Sequence, residues 1–155
     1  MATNQGGSAV SKALIIYATR TNQTKSIAEI IGEGMRFEGM EVTVVSINDF
    51  EKQKMNPEDF DAIVLGAPTY HGDMIQPMKT LLFALEKYNL EGKVGGSFGA
   101  FGWSGEAPSR IFDTMKHIFK MNMVSGALML KSASLGGGVK MGQDYGREIA
   151  KKLAA

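Results

Sequence analysis

The sequence predicts a doubly wound α/β domain, a parallel sheet covered by helices on both faces, and three observations carry that prediction. Short apolar runs without polar alternation stand at KALIIYA (12–18) and the Ala62–Ala67 part of DFDAIVLGAPTY, as expected of strands buried on both faces, and EVTVVSI (41–47) is a further, β-branched strand. Segments with apolar residues at helical spacing lie between them. The alternation of the two patterns is that of a parallel sheet with crossover helices.

Taken in order, the first strand, Lys12–Ala18, gives way through TRTNQT to TKSIAEIIGEGMRFEG, where Ile27, Ile30, Ile31 and Met35 share a face and Gly39 marks the stop. Strands at 41–47 and 62–67 follow, then a helix over roughly 76–87 whose Met78, Leu81, Leu82 and Leu85 form one face. A strand at 94–101, a helix near 106–119, a strand near 124–131, a flexible turn at LGGGVKMG and a helix near 141–153 complete the pattern. Five strands and four or five helices suit 155 residues, close to the usual size of about 100–200 for one domain. Residues 1–11 read as a loose polar tail and 12–155 as a single domain.

Composition removes several functions. Lys plus Arg 17 against Asp plus Glu 16, with the signs interspersed, lacks the electrostatic footprint of a nucleic-acid binder. With no cysteine, disulfides, iron–sulfur clusters and thiolate zinc sites are excluded, and a cytoplasmic location is expected. His71 and His117 are too few and too far apart for a histidine-rich metal centre. No window reaches the ~18 apolar residues of a membrane span. Of the eleven methionines, Met35, Met78, Met115 and Met141 fall on the predicted helices and read as core filling.

In a doubly wound sheet, ligands bind beyond the carboxyl ends of the strands where the strand order reverses, which directs attention to 19–24, 68–74 and 102–106. TRTNQT offers hydroxyls, an amide side chain and free backbone N–H groups at a helix N-terminus, a setting for a phosphate. It is neither GxxxxGK[ST] nor GxGxxG, which disfavours triphosphates and dinucleotides. The plainer reading is that Thr24 or Asn22 caps the helix. In APTYHGDM, Tyr70 and His71 taken singly are ordinary loop residues, whereas Gly72 permits peptide orientations that other residues resist. In GAFGWSGEA the chain's one tryptophan, Trp103, stands between glycines. Alone it would be a packing or interface residue. With a phosphate loop and an aromatic loop at the same edge, it suits a flat conjugated ligand with a phosphate tail, the shape of FMN, with about 1 kcal/mol gained per good aromatic pair beyond burial.

The order of IIYATRTNQT, GAPTYHGD and GAFGWSGEA resembles the flavodoxin family, and the last two motifs resemble in particular the flavodoxin-like domain of flavodiiron proteins. The resemblance runs from Lys12 to the last helix. It implies a flavodoxin-like five-stranded sheet of order 2-1-3-4-5, non-covalent FMN, and electron transfer between redox proteins. Those partners would be of the ferredoxin or rubredoxin type or a separate metalloprotein; a homodimer is compatible. Carried over by position, the phosphate loop falls on Thr19, Arg20, Thr21, Asn22, Gln23 and Thr24, with Asn22 where the family's pattern has glycine. Asparagine is the next best residue for a left-handed conformation. The second loop falls on Pro68, Thr69, Tyr70, His71 and Gly72, and the third on Phe101, Gly102, Trp103, Ser104 and Gly105. Tyr70 and His71 compete for the inner flavin face, because YHGD aligns in two ways.

By the same resemblance, the carbonyl of Gly72, or of its neighbour if the alignment shifts, would turn to accept a hydrogen bond from the proton that flavin N5 gains on reduction, and Trp103 and Tyr70 would shield the ring. Asp73 and Glu106 would oppose a developing negative charge. Two lone histidines cannot supply a flavodiiron iron site. A nearly neutral chain also predicts weaker salt dependence of partner binding, and a less depressed second reduction potential, than an acidic flavodoxin would show. The rival enzymatic reading is an NAD(P)H-dependent quinone or flavin reductase on the same fold, which needs room for a second planar substrate; no long insertion provides it. A cofactor-free receiver-like domain would need an acidic pocket after the first strand, where YATRT stands.

Overall fold

The structure, a computed structural model, describes residues 10–18, 23–70, 73–100, 106–130 and 137–155, with Tyr70 described by its backbone alone. Strand β1 (Lys12–Tyr17) is followed by α1 (Gln23–Phe37), β2 (Glu41–Ser46), α2 (Ile47–Lys52) and β3 (Ala62–Gly66). A short hairpin of β4 (Thr69–Tyr70) and β5 (Asp73–Met74) leads into α3 (Gln76–Leu85). Next come β6 (Val94–Ala100), α4 (Glu106–His117), β7 (Asn122–Met123), β8 (Leu128–Leu130) and α5 (Gly138–Ala154).

The main sheet runs β2-β1-β3-β6-β7, with β8 also on β6, and every pairing in it is parallel. With β6 as fourth strand and β7 and β8 as successive pieces of the fifth, this is the expected order 2-1-3-4-5. The central strands are buried along almost their whole length because both faces are covered. Leu14, Ile16, Ile63 and Leu65 point into a core completed by α2, α3 and α4. Ala13, Ile15, Ala62 and Val64 point into a second core completed by α1 and α5. This period-two division of each strand between two cores explains why the apolar runs show no polar alternation.

Helices α1 and α5 approach closely enough for backbone to meet backbone. A Cβ on Gly34 would collide with the Gln143 carbonyl, and one on Gly146 with the Ile31 carbonyl, so both positions need a residue without a side chain. Gly39, at φ +87°, closes the chain after α1 as expected.

Three expectations are corrected. The strand expected near 124–131 is broken into β7 and β8. After Val124 N–H donates to Gly95 O at 3.0 Å, Ser125 N–H leaves the ladder for Glu148 Oε2 at 2.8 Å. The Tyr145 hydroxyl occupies the resulting gap, accepting from Ser97 N–H at 3.1 Å and donating to Gly126 O at 2.6 Å. Second, Ile47 ends no strand but opens α2, because Ser46 caps that helix by accepting from Asp49 N–H. Third, Met141 is 46% exposed, unlike the fully buried Met35, Met78 and Met115, because it lies beside the Gly142–Tyr145–Ile149 stripe that α5 buries.

Candidate functional site

The carboxyl ends of β1, β3 and β6 lie side by side in the middle of the sheet. The ladder continues one residue further on two of them, with Ala18 N–H donating to Gly66 O at 2.9 Å and Ala67 N–H to Phe98 O at 3.1 Å. Three adjacent strands therefore end at one edge, at Tyr17, Gly66 and Ala100. Beyond β1, Tyr17, Ala18, Ser46, Asn48, Ile75 and Pro77 line a cleft of about 170 Å³ at the same end of the sheet.

Of the expected phosphate loop, Gln23 and Thr24 open α1, whose first N–H groups have no partner within the helix. Thr24 lies inside the helix and so does not cap it. Thr24 is 1% exposed, and its hydroxyl is bonded to no described residue. Ser97, the other buried polar residue among those described, donates its hydroxyl to Pro108 O at 2.8 Å. A buried hydroxyl with no partner among the described residues, beside the positive end of a helix, fits an anionic group. Thr19, Arg20, Thr21 and Asn22 lie outside the described residues.

In the second loop, Pro68 and Thr69 are half-buried, and the hairpin pairs Thr69 with Met74 and Tyr70 with Asp73. His71 and Gly72 lie outside the described residues, as do Phe101, Gly102, Trp103, Ser104 and Gly105. The helix leaving the third loop is well anchored. Ala107 N–H, in the first turn of α4, donates to Thr69 Oγ1 at 3.1 Å, and Ser97 holds Pro108. A Cβ on Gly99 would strike the Ala67 carbonyl and stand 2.7 Å from Pro108 Cγ, so the backbones leading into the two loops are in direct contact.

Asp73 has a different setting from the one expected of a repelling anion. Its carboxylate faces Lys79 Nζ at 2.7 Å and Arg110 at 3.7 Å, and it accepts from Met74 N–H at 2.8 Å. The Lys79 hydrogen bond, aided by that amide and the two cations, holds its carboxyl below the usual carboxylate range. Its charge is thus compensated on the spot. Glu106 is exposed in the first turn of α4, where an acid complements the helix dipole. Lys79, Ala107 and Arg110 were not anticipated as neighbours of the second loop. The Asp73 to Lys79 spacing carried a weak hint, an acid just before a helix and a lysine within it.

Among the described residues no group of three His, Asp or Glu side chains is placed to hold a metal ion. No described helix is long and apolar enough to cross a membrane.

A central parallel sheet with helices on both faces, three adjacent strands ending at one edge and, in the first turn of α1, a buried hydroxyl bonded to no described residue are the marks of a cofactor-binding α/β protein. The chain belongs to the flavodoxin family: the family model described as a flavodoxin domain matches residues 14–96, just over half of its length. A type A flavoprotein, fprA of Rhodobacter capsulatus, is 33% identical over 145 residues, covering 90% of this chain and 33% of the relative. The chain thus spans about a third of that relative's length. A flavodoxin of Clostridium saccharobutylicum is 28% identical over 85% of the chain and 77% of its own length. The solved structure of a flavodoxin from the domain Archaea superposes with a TM-score of 0.83 at 29% identity, covering 93% of this chain and 99% of that one. The cofactor of the family is FMN.

Proposed function

We propose that residues 12–155 form an FMN-binding unit that carries electrons between redox proteins and performs no bond chemistry of its own. Bound FMN supplies one- and two-electron transfer, and the chain's contribution is to seat and tune it. The observation that carries the reading is Thr24, a buried hydroxyl bonded to no described residue in the first turn of α1. That hydroxyl and the α1 N–H groups receive the phosphate, assisted by Thr19, Arg20, Thr21, Asn22 and Gln23. Pro68, Thr69, Tyr70, His71 and Gly72 form one wall of the ring site. Phe101, Gly102, Trp103, Ser104 and Gly105 form the other, with Trp103 excluding water. The Gly72 carbonyl would accept a hydrogen bond from the N5–H of reduced flavin, and a β-branched residue in place of Gly72 would hinder the peptide turn that presents it. The electron donor and acceptor are redox proteins of the ferredoxin or rubredoxin type or a separate metalloprotein.

The test is the visible spectrum of the purified protein, alone and with added FMN, followed through stepwise anaerobic reduction with the released cofactor identified. Flavin bands from a tightly held FMN support the reading. A protein that stays colourless after FMN is added overturns it, and rapid NAD(P)H oxidation with a quinone would replace the carrier by a reductase.

A further inference from the structure

The hydrogen bond from Ala107 N–H to Thr69 Oγ1 joins two segments that are 38 residues apart. Thr69 belongs to the stem of the β4–β5 hairpin, and Ala107 is the second residue of α4. Helix N-termini are ordinarily capped by a side chain from the residue just before the helix. Here one of the orphan donors of α4 is satisfied from a different loop. Ala107 is fully buried, so its amide has no ready access to water as a substitute partner.

The surroundings make this bond a fixed point. On the α4 side, Ser97 Oγ donates to Pro108 O at 2.8 Å and ties the helix start to β6. On the hairpin side, Asp73 accepts from Met74 N–H and pairs with Lys79 of α3 and, more loosely, Arg110 of α4. The two ion pairs are largely exposed, which leaves the Thr69 bond as the stronger link between hairpin and α4.

We infer that Thr69 is a positioning residue for the cofactor: by capping α4, its hydroxyl fixes the start of that helix against the stem of the β4–β5 hairpin. This deepens the FMN reading and rests on it. Without the bond, the protein visits other placements of α4 against the hairpin stem and only part of the population accepts the cofactor. Apparent affinity falls by that fraction. Thr69→Val keeps the branched shape and removes the acceptor, whereas Thr69→Ser keeps the hydroxyl.

The experiment measures FMN dissociation constants and both one-electron midpoint potentials for wild type, Thr69→Val, Thr69→Ser and Thr69→Ala, with far-UV circular dichroism as the fold check. The expected result is an FMN Kd raised about tenfold in Thr69→Val, restored to within about threefold of wild type in Thr69→Ser, with the spacing of the potentials changed only in the variants lacking the hydroxyl. Thr69→Ala should match Thr69→Val and decides the matter if the valine variant does not fold. Unchanged affinity and potentials in both, or a serine variant as weak as valine, overturns the inference while leaving the FMN reading intact. A wild-type protein that binds no FMN overturns both.

Discussion

Replacing Tyr145 by phenylalanine removes one oxygen atom from the place where the fifth strand is interrupted. That hydroxyl accepts from the buried Ser97 N–H at 3.1 Å and donates to Gly126 O at 2.6 Å, with Ser97 O a second acceptor at 3.1 Å. The ring stays in place, since Tyr145 is 6% exposed and packs over Gly96, where a Cβ would stand 2.9 Å from the hydroxyl. The loss is therefore polar and not one of packing. The Ser97 amide, in a wholly buried strand, is left without a partner at a cost of about 1–3 kcal/mol, while the Gly126 carbonyl is partly rescued by water for about 1 kcal/mol more. The expected total is about 2–4 kcal/mol, equivalent to a fall in melting temperature of roughly 4–16 °C for a chain of this size. Urea melts of apoprotein should show a lower midpoint at an unchanged slope, and exchange at the Ser97 amide should quicken. Burial also raises the phenol's pKa above its ordinary 10.0. The group is therefore more easily ionised in the unfolded chain. Its stabilisation is complete below pH 10.0 and declines as pH rises past that value, and the phenylalanine variant should lack this alkaline decline. A difference below about 0.5 kcal/mol at neutral pH would refute the claim that the hydroxyl replaces ladder hydrogen bonds.

Thr24→Val should leave apoprotein stability unchanged or slightly raised, because the hydroxyl it removes is buried and bonded to no described residue, yet weaken FMN binding about 10–100-fold by isothermal titration. Gly146→Ala should cost about 3 kcal/mol in a urea melt, since the added carbon meets the backbone of Ile31 and stands 2.8 Å from Met35 N, with no side chain able to yield. Asp73→Asn tests the compensated carboxylate: because the carboxyl's pKa is lowered on folding, any advantage of wild type is fully present above the ordinary value of 3.8 and disappears as pH falls below it, which parallel acid titrations of the two proteins would reveal.

The sheet was legible because burial on both faces imprints continuous apolar runs, as in Ala13–Tyr17 and Ala62–Gly66. The interrupted strand was not, because its cause lies in α5: Glu148 and Tyr145 claim the backbone at 125–126 from about twenty residues away. Helix α2 was marked by the Ser46 and Asp49 pair, a capping signature hidden beneath the β-branched run of EVTVVSI. At the site, strand order directed attention to the three loops, and the hydroxyl-rich turn TRTNQT to Thr24. The pairing of Thr69 with Ala107 joins residues of unremarkable type and leaves no periodic trace, so it emerged only from coordinates.

The meeting of α1 with α5 bears on how the protein is made. Ile27, Ile31 and Met35 of α1 share a core with Tyr145, Ile149 and Ala150 of α5, so a growing chain exposes that oily surface while roughly a hundred further residues are added. At about 5–20 residues per second the delay is about 5–20 s, long compared with the collapse of a short chain. The nascent protein is thus most prone to aggregate just before α5 emerges, the interval in which a chaperone that shields apolar helices would have its largest effect.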